Sequence, residues 1–515
     1  MFLIFKNILK VLGEFAKILP ILFFIFSCKD NITGSSKNNI PPETQIWVDT
    51  IAQTLSSQVK VYWSGDDPDG FVKGFNISVD GNNWVYTTSK ESTFTLTLGA
   101  TEFDTSLINI SAVDNFGLLD PTPAKINIAI KNSPPTISFE MLSEIPSVTL
   151  PVATFNIKSN DIDGKNTIKN YFISLNDTSA SSFISIPSYA NLITIIGDLN
   201  DTTKNTIDAK IKFGTNLTET NFKIPNLKLN SNNTFYIYCE DISGAKSKIA
   251  KMPDANKNWF VKKPIGSRKI LLVDDAPGGF PNPDDVFKLN FSNAIGKNQK
   301  SYSDIDFIDI NTIPISPLIV QPMLIETFKL YKSIFWYGKV ANLDVAQKTI
   351  PIFLEQGGKV LFATGFQNLS LAGIDPSMLS LDFAPVDSLI TFFKKDSIIN
   401  TGYIARVYKD SKILSTDSTS QKKYPNLSFD KTSIFGFYAI EPGATDSVIY
   451  RLDYPKIQNS EEKWFGRPAV GIKSSKGNLF FFTIPLHLLQ NINLESGKTE
   501  LVLLIEKIFR EEFEL

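Results

Sequence analysis

The chain has few side chains of the types that carry out catalysis. Its 515 residues include one histidine, His487, and two cysteines, Cys28 and Cys239. Catalysis by a Ser-His-Asp or Cys-His arrangement would therefore have to use His487. This inventory also excludes a disulfide framework and a His-rich zinc site. Asp274 and Asp275 end an apolar run, and neighbouring carboxylates can act as general acid and general base.

A second group of carboxylates lies in acidic turns of the first half of the chain. Each of two segments has an alternating, strand-like run followed by D-x-D-G, and later another run followed by D-x-x-G. In a seven-stranded β-sandwich these two loops lie at the same end, so the aspartates of each segment would converge. They are Asp67, Asp69 and Asp114 in the first segment, and Asp161, Asp163 and Asp241 in the second. Such carboxylates suit a calcium ion. Alternatively they only cap their turns by accepting backbone N–H groups, with Gly70 and Gly164 at positive φ.

Residues 1–28 have the pattern of a targeting segment. Three lysines precede an apolar run that is shorter than the ~20 residues needed to span a bilayer, as in a secretory signal. The run ends in Ile25-Phe26-Ser27-Cys28, which resembles a bacterial lipobox. The resemblance implies that Cys28 carries acyl chains and becomes the mature N-terminus. An uncleaved anchor helix and a plain signal peptide are the alternatives.

The segment after the cysteine fits a membrane-anchored protein. Residues 29–40 are rich in Gly, Ser and Asn, which predicts a flexible tether. Lipidation at Cys28 would hold the protein stably on a membrane, because several acyl chains anchor where one is marginal. We therefore expect a lipid-anchored protein of the bacterial outer membrane or cell surface, with a periplasm-facing location left open.

Two segments of repeated pattern follow the tether. Pro41-Pro42 opens one and Pro134-Pro135 the other, and their short alternating runs predict two tandem all-β sandwiches. The stretch VYWSGDDPDGFVKGFNISVDGNNW resembles the fibronectin type III/Ig-like modules of bacterial surface proteins, over residues 41–132 well and 133–263 loosely. The resemblance implies spacers or glycan-contacting units. Trp63 is expected in the core, and Trp84, beside a turn, is a candidate aromatic contact.

Residues 266–515 alternate between strand-like and helix-like segments. The unbroken apolar runs Lys269–Asp275, Ser333–Gly338 and Lys359–Gly365 are typical of strands buried in a parallel sheet. Helical periodicity between them, with Asp284 as a capping residue, completes the alternation. The pattern predicts an α/β doubly wound domain, whose carboxyl-end residues Asp274 and Asp275 would line a ligand site.

This half resembles the class I glutamine amidotransferase-like superfamily, which has a flavodoxin-like fold. The resemblance rests on KILLVDD, FLEQGGKVLFATG and GNLFFFTIPLHLL. In that superfamily a cysteine on the turn after the second of these segments acts with a histidine. His487 matches the histidine position, but the turn reads Thr364-Gly365-Phe366-Gln367 and has no nucleophile after Gly365. The resemblance therefore implies a degenerate domain that is not an enzyme.

Residues 366–470 carry fewer markers. They are predicted to be a large insertion at the carboxyl edge of the sheet, able to form a binding lid. Trp464 is a candidate aromatic contact in this insertion.

Charge and composition narrow the function further. The chain has 51 Lys+Arg and 53 Asp+Glu, a net charge of −2, which gives no electrostatic footprint for nucleic acid. The sequence predicts a membrane-anchored, non-catalytic envelope or surface lipoprotein. It would present a binding α/β domain on β-sandwich spacers to a glycan, a peptide or an envelope protein. No cofactor is predicted, and calcium is the one candidate ion.

The alternative function is a hydrolase of envelope carbohydrate or amide bonds. It would use Asp274 or Asp275 with His487, because two carboxylates can do acid–base work without a cysteine. Asp275 and His487 at hydrogen-bond distance in one pocket would favour this alternative.

Overall fold

The chain divides into two compact units, one ending at Lys131 and the other running from Asn132 to Leu515. The computed structural model describes residues 38–48, 58–95, 103–141, 144–162, 164–201, 203–265, 268–276, 282–295, 305–313, 317–338, 343–364, 384, 386–390, 405–408, 411–416, 424–430, 433–437, 439–453, 456–457 and 467–515. Cys28, Asp163, the turn at Gly365 and Trp464 lie outside the described residues. No helix within the described stretches is both long enough and apolar enough to cross a membrane.

Unit 1 is a two-sheet sandwich. Its strands are β1 (Glu43–Val48), β2 (Gln58–Asp66), β3 (Val72–Ser78), β4 (Val85–Thr87), β5 (Glu91–Thr95), β6 (Phe103–Asp114) and β7 (Ala124–Lys131). One sheet has the order β1-β2-β5 and the other β4-β3-β6-β7. Trp63 is 1 % exposed between them and lies edge-on to Phe75, with ring centroids 6.3 Å apart. The expected core position of Trp63 is confirmed.

Unit 2 begins with a second, larger sandwich. Its strands are β8 (Thr136–Phe139), β9 (Val148–Thr149), β10 (Val152–Asn160), β11 (Ile168–Leu175), β12 (Ile184–Pro187), β13 (Leu192–Gly197), β14 (Thr206–Phe213), β15 (Thr218–Lys228), β16 (Ser231–Asn232), β17 (Phe235–Asp241), β18 (Ala250–Met252) and β19 (Phe260–Val261). The sheets have the orders β15-β14-β13-β10-β8, β12-β11-β17-β18 and β16-β19-β9. The two predicted all-β sandwiches are therefore present, and β13–β15 widen the second one.

The rest of unit 2 is built on a nine-stranded sheet. Its strands are β20 (Ile270–Asp275), β21 (Asp306–Asp309), β22 (Ser333–Gly338), β23 (Lys359–Thr364), β26 (Lys412–Ser415), β27 (Leu427–Ser428), β30 (Ser447–Leu452), β32 (Ala469–Lys473) and β33 (Leu479–Phe482). The sheet starts with five mutually parallel strands, β21-β20-β22-β23-β33, and continues antiparallel through β32-β30-β26-β27. Smaller sheets pair β24 (Val386–Ile390) with β29 (Ala439–Pro442), and β25 (Ala405–Tyr408) with β28 (Ser433–Phe437) and β31 (Lys456–Ile457).

Within the described residues, four α-helices pack on the large sheet. They are α1 (Pro283–Ile295), α2 (Pro317–Phe328), α3 (Leu343–Glu355) and α4 (Glu500–Ile505), which continues as a π-helical turn over Glu506–Glu512. Phe287 of α1 contacts Phe335 of β22, with ring centroids 4.7 Å apart. Phe328 of α2 contacts the next residue, Trp336, at 6.2 Å. Because successive side chains of a strand point to opposite faces, α1 and α2 lie on opposite faces of the sheet.

The second sandwich packs directly against this sheet and its helices. Helix α2 contacts β10 and β13, and Lys212 Nζ lies 3.2 Å from Glu326 Oε1, whose side chain is 5 % exposed. Lys262 Nζ lies 3.3 Å from the buried Asp306 Oδ1. These contacts join the second sandwich to the large sheet within unit 2, and its role as a spacer stays a prediction.

Three described strands of the predicted insertion belong to the large sheet and do not form a lid over it. Residues of β26, β27 and β30 all belong to 366–470, and they extend the large sheet beyond β32. Ile449, Tyr450 and Leu452 of β30 are buried there. These described parts are structural extensions of the core, because their apolar side chains complete it.

Candidate functional site

The carboxyl end of β20 carries the two adjacent carboxylates, but the strand sends them to opposite faces. Asp275 Oδ2 accepts a hydrogen bond from Trp336 Nε1 at 3.0 Å, on the face covered by α2. Asp274 is the register partner of Tyr337, on the face covered by α1. Both carboxylates are buried, at 4 % exposure. They therefore do not act as one acid–base pair.

Asp274 lies instead in a cluster built from four neighbouring elements, β20, β21, β22 and α1. In the sheet it is flanked by its register partners Asp309 and Tyr337. Asp284, in the first turn of α1, accepts a hydrogen bond from the Tyr337 hydroxyl at 2.9 Å. Asp274 Oδ1 accepts from the backbone N–H of Ala276 at 2.8 Å. We call Asp274, Asp284, Asp309 and Tyr337 the edge cluster.

Burial and like charge make the edge cluster hold a proton. Burial raises the pKa of Asp274 to about 8, and the negative charges of Asp284 and Asp309 push it the same way, against the hydrogen bond from Ala276 N. The pKa of Tyr337 is also raised, by burial and then by the surrounding carboxylates. The raised pKa favours the protonated form of Asp274, which can donate as well as accept a hydrogen bond.

His487 lies on the same face as Asp274. It belongs to a 3-10 turn, Leu486–Leu488, and its ring is edge-on to Phe287 of α1 with centroids 6.1 Å apart. Leu486 and Leu488 are buried, whereas His487 is half-buried. His487 and Asp275 therefore lie on opposite faces of the sheet. The hydrolase alternative depended on a pairing of these two residues.

Sequence reasoning missed two members of the cluster and assigned a different role to Asp284. The residue that caps α1 is Asn282, whose Oδ1 accepts from Asp284 N at 3.2 Å. The Asp284 carboxylate is therefore not the cap of the helix, and it accepts the hydrogen bond from Tyr337. A signal was available, since Asp309 and Tyr337 each stand near the end of a predicted parallel strand, where the ends of neighbouring strands meet.

The acidic turns of unit 1 converge as the sandwich requires. Asp114 Oδ1 accepts from Phe116 N and Leu118 N, each at 2.8 Å, and its Oδ2 accepts from Asn39 Nδ2 at 2.5 Å. Burial raises the pKa of Asp114, but these hydrogen bonds outweigh it and hold the pKa below its usual value. Asp114 therefore caps its own turn and clamps the segment that enters the sandwich.

Asp67 and Asp69 lie beside Asp114. Asp69 accepts from Ile40 N at 3.2 Å, and Asp67 Oδ2 is buried without a hydrogen-bond partner among the described residues. Burial raises the pKa of Asp67, with the charges of Asp69 and Asp114 adding to the effect. The first sandwich thus leaves one carboxylate oxygen unpaired at this end.

The same clamp recurs in the second sandwich. Asp241 Oδ1 accepts from Ser243 N and Ala245 N, and its Oδ2 accepts from Asn132 Nδ2 at 2.6 Å. Asp161 Oδ2 accepts from Thr167 Oγ1 at 2.7 Å. Asn39 and Asn132 each stand two residues before a Pro-Pro pair, so N-x-P-P is a repeat marker that sequence reasoning overlooked.

These contacts bear on the calcium prediction. In the part of the chain that the structure describes, no group of three or more His, Cys, Asp or Glu side chains is placed to hold a metal ion. Asp114 and Asp241 use both carboxylate oxygens as turn caps and clamps, which is the alternative that the sequence left open. Asp163 lies outside the described residues.

The clamp makes a testable contribution to stability. Replacing Asn132 with alanine removes the side-chain donor to the buried Asp241 Oδ2, so we expect the free energy of unfolding to fall by about 1–3 kcal/mol. Urea denaturation followed by circular dichroism measures the change. Asn221→Ala, on an exposed position of β15, is the control and should leave the midpoint unchanged. Equal midpoints for both variants would show that the clamp contributes nothing.

Of the two aromatic candidates, one is described. Trp84 is 41 % exposed, so the position expected for a surface contact is present, and its role in binding stays a prediction. Trp464 lies outside the described residues, so its role stays a prediction.

Comparison with known proteins finds β-sandwich modules. No family model matches the chain, and no curated protein matches it. Among solved structures it is similar to the fibronectin(III)-like modules of Clostridium thermocellum CbhA, at 12 % identity and TM-score 0.16, over 42 % of this chain and 95 % of that one. It is also similar to a two-domain fibronectin type III segment of chicken tenascin, at 13 % identity and TM-score 0.17, over 41 % and 97 %.

A third similar structure comes from carbohydrate-binding modules of the β-sandwich superfamily. The identity is 10 % and the TM-score 0.16, over 42 % of this chain and 84 % of that one. At TM-scores this low, the similarity supports no inference about function.

Proposed function

We propose that this protein is a lipid-anchored, non-catalytic protein of the bacterial outer membrane or cell surface, which binds a glycan at the edge cluster. The lipobox-like Ile25-Phe26-Ser27-Cys28 and the polar tether after it support the anchor. The phenylalanine that follows Gly365, where the amidotransferase-like superfamily has its nucleophile, supports a non-catalytic role.

The architecture of unit 2 supports a doubly wound, amidotransferase-like class for its C-terminal part. Five parallel strands in the order β21-β20-β22-β23-β33 have helices on both faces. In such sheets ligands bind outside the carboxyl ends of the strands, next to the point where strand order reverses. Strand β20 leads to β21 on one side and β22 on the other, so its carboxyl end is that point.

The edge cluster is the observation that carries the glycan proposal. It offers two carboxylates that accept hydrogen bonds, and a protonated Asp274 and a tyrosine hydroxyl that can also donate them. Phe307 of β21 lies under Lys288 Nζ, 3.7 Å from the ring centroid, beside the cluster. Sugars present hydroxyl groups that both donate and accept, and apolar C–H faces that pack on rings, so this chemistry suits a glycan better than a purely anionic ligand.

A glycan array with the soluble 29–515 fragment tests the proposal. Asp284→Ala is expected to weaken binding by roughly tenfold to a hundredfold, because hydrogen bonds to a charged group contribute about 1.5–3 kcal/mol. Glu355→Gln, on an exposed side chain at the opposite end of the sheet, is the matched control. Binding that Asp284→Ala leaves intact would locate the glycan elsewhere, and peptide ligands on the same array test the other ligand class.

One observation favours a hydrolase as the second candidate. Asp274, with its pKa of about 8, lies beside Asp284, which makes an acid and a base in one place. Asp274 would donate a proton to the leaving group and Asp284 would accept one from water. Release of cleavage products from bound glycans, lost in Asp274→Asn, would support this activity. Intact glycan binding with no cleavage product above the blank would support the non-catalytic proposal.

A further inference from the structure

One end of unit 1 exposes apolar loop residues. Phe116 is 75 % exposed and Phe71 65 %, and Ile40 and Leu118 are also more than 40 % exposed. The segments that carry them adjoin, since Phe71 N donates to Asn115 Oδ1 at 3.1 Å and Ile40 N donates to Asp69. We call Ile40, Phe71, Phe116 and Leu118 the apolar tips.

The tips are not placed there to complete the core. Trp63 and Phe75 fill the inside of the sandwich, and the turns that hold the tips are already fixed by Asp114 and Asn115. Two phenylalanines this exposed keep apolar surface in contact with water, which is unfavourable. Burial against a partner would remove that surface from water. Adjacent exposed apolar residues of this kind mark a contact surface.

The path of the chain identifies what lies next to this end. Asn39 is bonded to Asp114, so the chain enters unit 1 at the tips. It leaves at the other end, because Lys131 pairs with Phe103, eleven residues back along β6 from Asp114. The segment that precedes the tips thus connects to Cys28, and not to unit 2.

The length of that segment limits the distance to the anchor. Ten residues separate Cys28 from Asn39, and a chain of that length reaches at most about 40 Å when fully extended. A bilayer that holds acyl chains on Cys28 is therefore within reach of the tips. Resting on the lipid anchor of the proposed function, we propose that the apolar tips insert into the interface of the same bilayer.

This contact gives unit 1 a defined orientation. Phenylalanine and leucine are side chains that interfacial membrane contacts use. Two of the carboxylates beneath the tips, Asp69 and Asp114, already accept hydrogen bonds from the backbone and from Asn39. Zwitterionic lipid therefore suits this end better than anionic lipid, because the exposed side chain of the acidic residue Asp69 lies there.

Site-directed labelling of the full lipidated chain tests the contact. Phe116→Cys and, at the far end of the same sandwich, the exposed Asn83→Cys each add one accessible thiol. Cys239 is fully buried, and burial raises the pKa of its thiol, so it does not compete for label. Each variant is reconstituted into phosphatidylcholine vesicles and reacted with a membrane-impermeant maleimide, with the same protein in detergent-free, Cys28→Ser form as reference.

The expected result is severalfold slower labelling of Phe116→Cys on vesicles and unchanged labelling of Asn83→Cys. Ile162→Cys, on an equally exposed loop residue of the second sandwich, should also be unchanged. Equal labelling of Phe116→Cys with and without vesicles would overturn the inference, and so would protection of all three positions. Failure of the lipidated protein to float with vesicles would instead refute the anchor itself. Protection that persists without lipid would assign the tips to a protein partner and overturn the membrane contact.

Discussion

Replacing Trp63 with alanine is expected to lower the free energy of unfolding of unit 1 by about 3–5 kcal/mol. Trp63 is the largest side chain in a small core, packed against Phe75 and Phe94, and its Nε1 donates to Ser89 O at 2.9 Å. Domains of this size have only about 5–15 kcal/mol of total stability. Differential scanning calorimetry should show the transition of unit 1 at a much lower temperature.

Trp84 supplies the matched control. It is the same residue type in the same sandwich, but 41 % exposed, so Trp84→Ala should change the free energy of unfolding by less than about 0.5 kcal/mol. A loss from Trp84→Ala as large as that from Trp63→Ala would mean that the core does not lie where Trp63 places it.

The second large effect is a change in how stability depends on pH. Asp274 has a folded pKa of about 8 against an ordinary value of 3.8, so between these values the folded state holds a proton that the unfolded state has released. The free energy of unfolding therefore falls as pH rises through this window, by at most about 1.4 kcal/mol per pH unit from this group. Its contribution is fully present below pH 4 and is lost above pH 8.

Asp274→Asn should flatten that slope and stabilise the protein at pH 8. The amide keeps an oxygen for Ala276 N and offers a donor to the neighbouring Asp284 without ever ionising. Urea unfolding at pH 5, 6.5 and 8 measures the slope in wild type, in Asp274→Asn and in the surface control Glu355→Gln. Parallel curves for wild type and Asp274→Asn would show that Asp274 ionises normally in the folded protein.

The strands of the large sheet were accessible from sequence because they are buried on both faces. Lys269–Asp275, Ser333–Gly338 and Lys359–Gly365 correspond to β20, β22 and β23 within a residue at each end. Helix α2 was not predicted. Pro322 lies inside this helix, and its apolar residues do not form a single stripe, because the helix packs on the sheet and on the second sandwich at once.

The candidate site was less accessible than the fold. Because Asp274 and Asp275 are adjacent in sequence, they were expected to work together. In a strand, however, adjacent side chains point to opposite faces of the sheet. Tyr337 and Asp309 join Asp274 only through pairing across the sheet, which a single sequence does not display. The expectation for the two turn glycines was half right. Gly164 has the expected positive φ, 122°. Gly70, which is packed against Asn115 and Asp67, is not among the residues with positive φ.

The opposite placement of entry and exit in unit 1 has a mechanical consequence. A pull between a membrane anchor and the rest of the chain would act along β1 and β7, so the ladder bonds of these strands would be loaded together in shear and not opened one at a time. Thr44 adds to that resistance, since its N–H donates to Asp120 Oδ2 and its Oγ1 accepts from Ala112 N, which fastens β1 to the opposite sheet. Unit 1 is thereby suited to carry tension between its two ends without unravelling from its first strand.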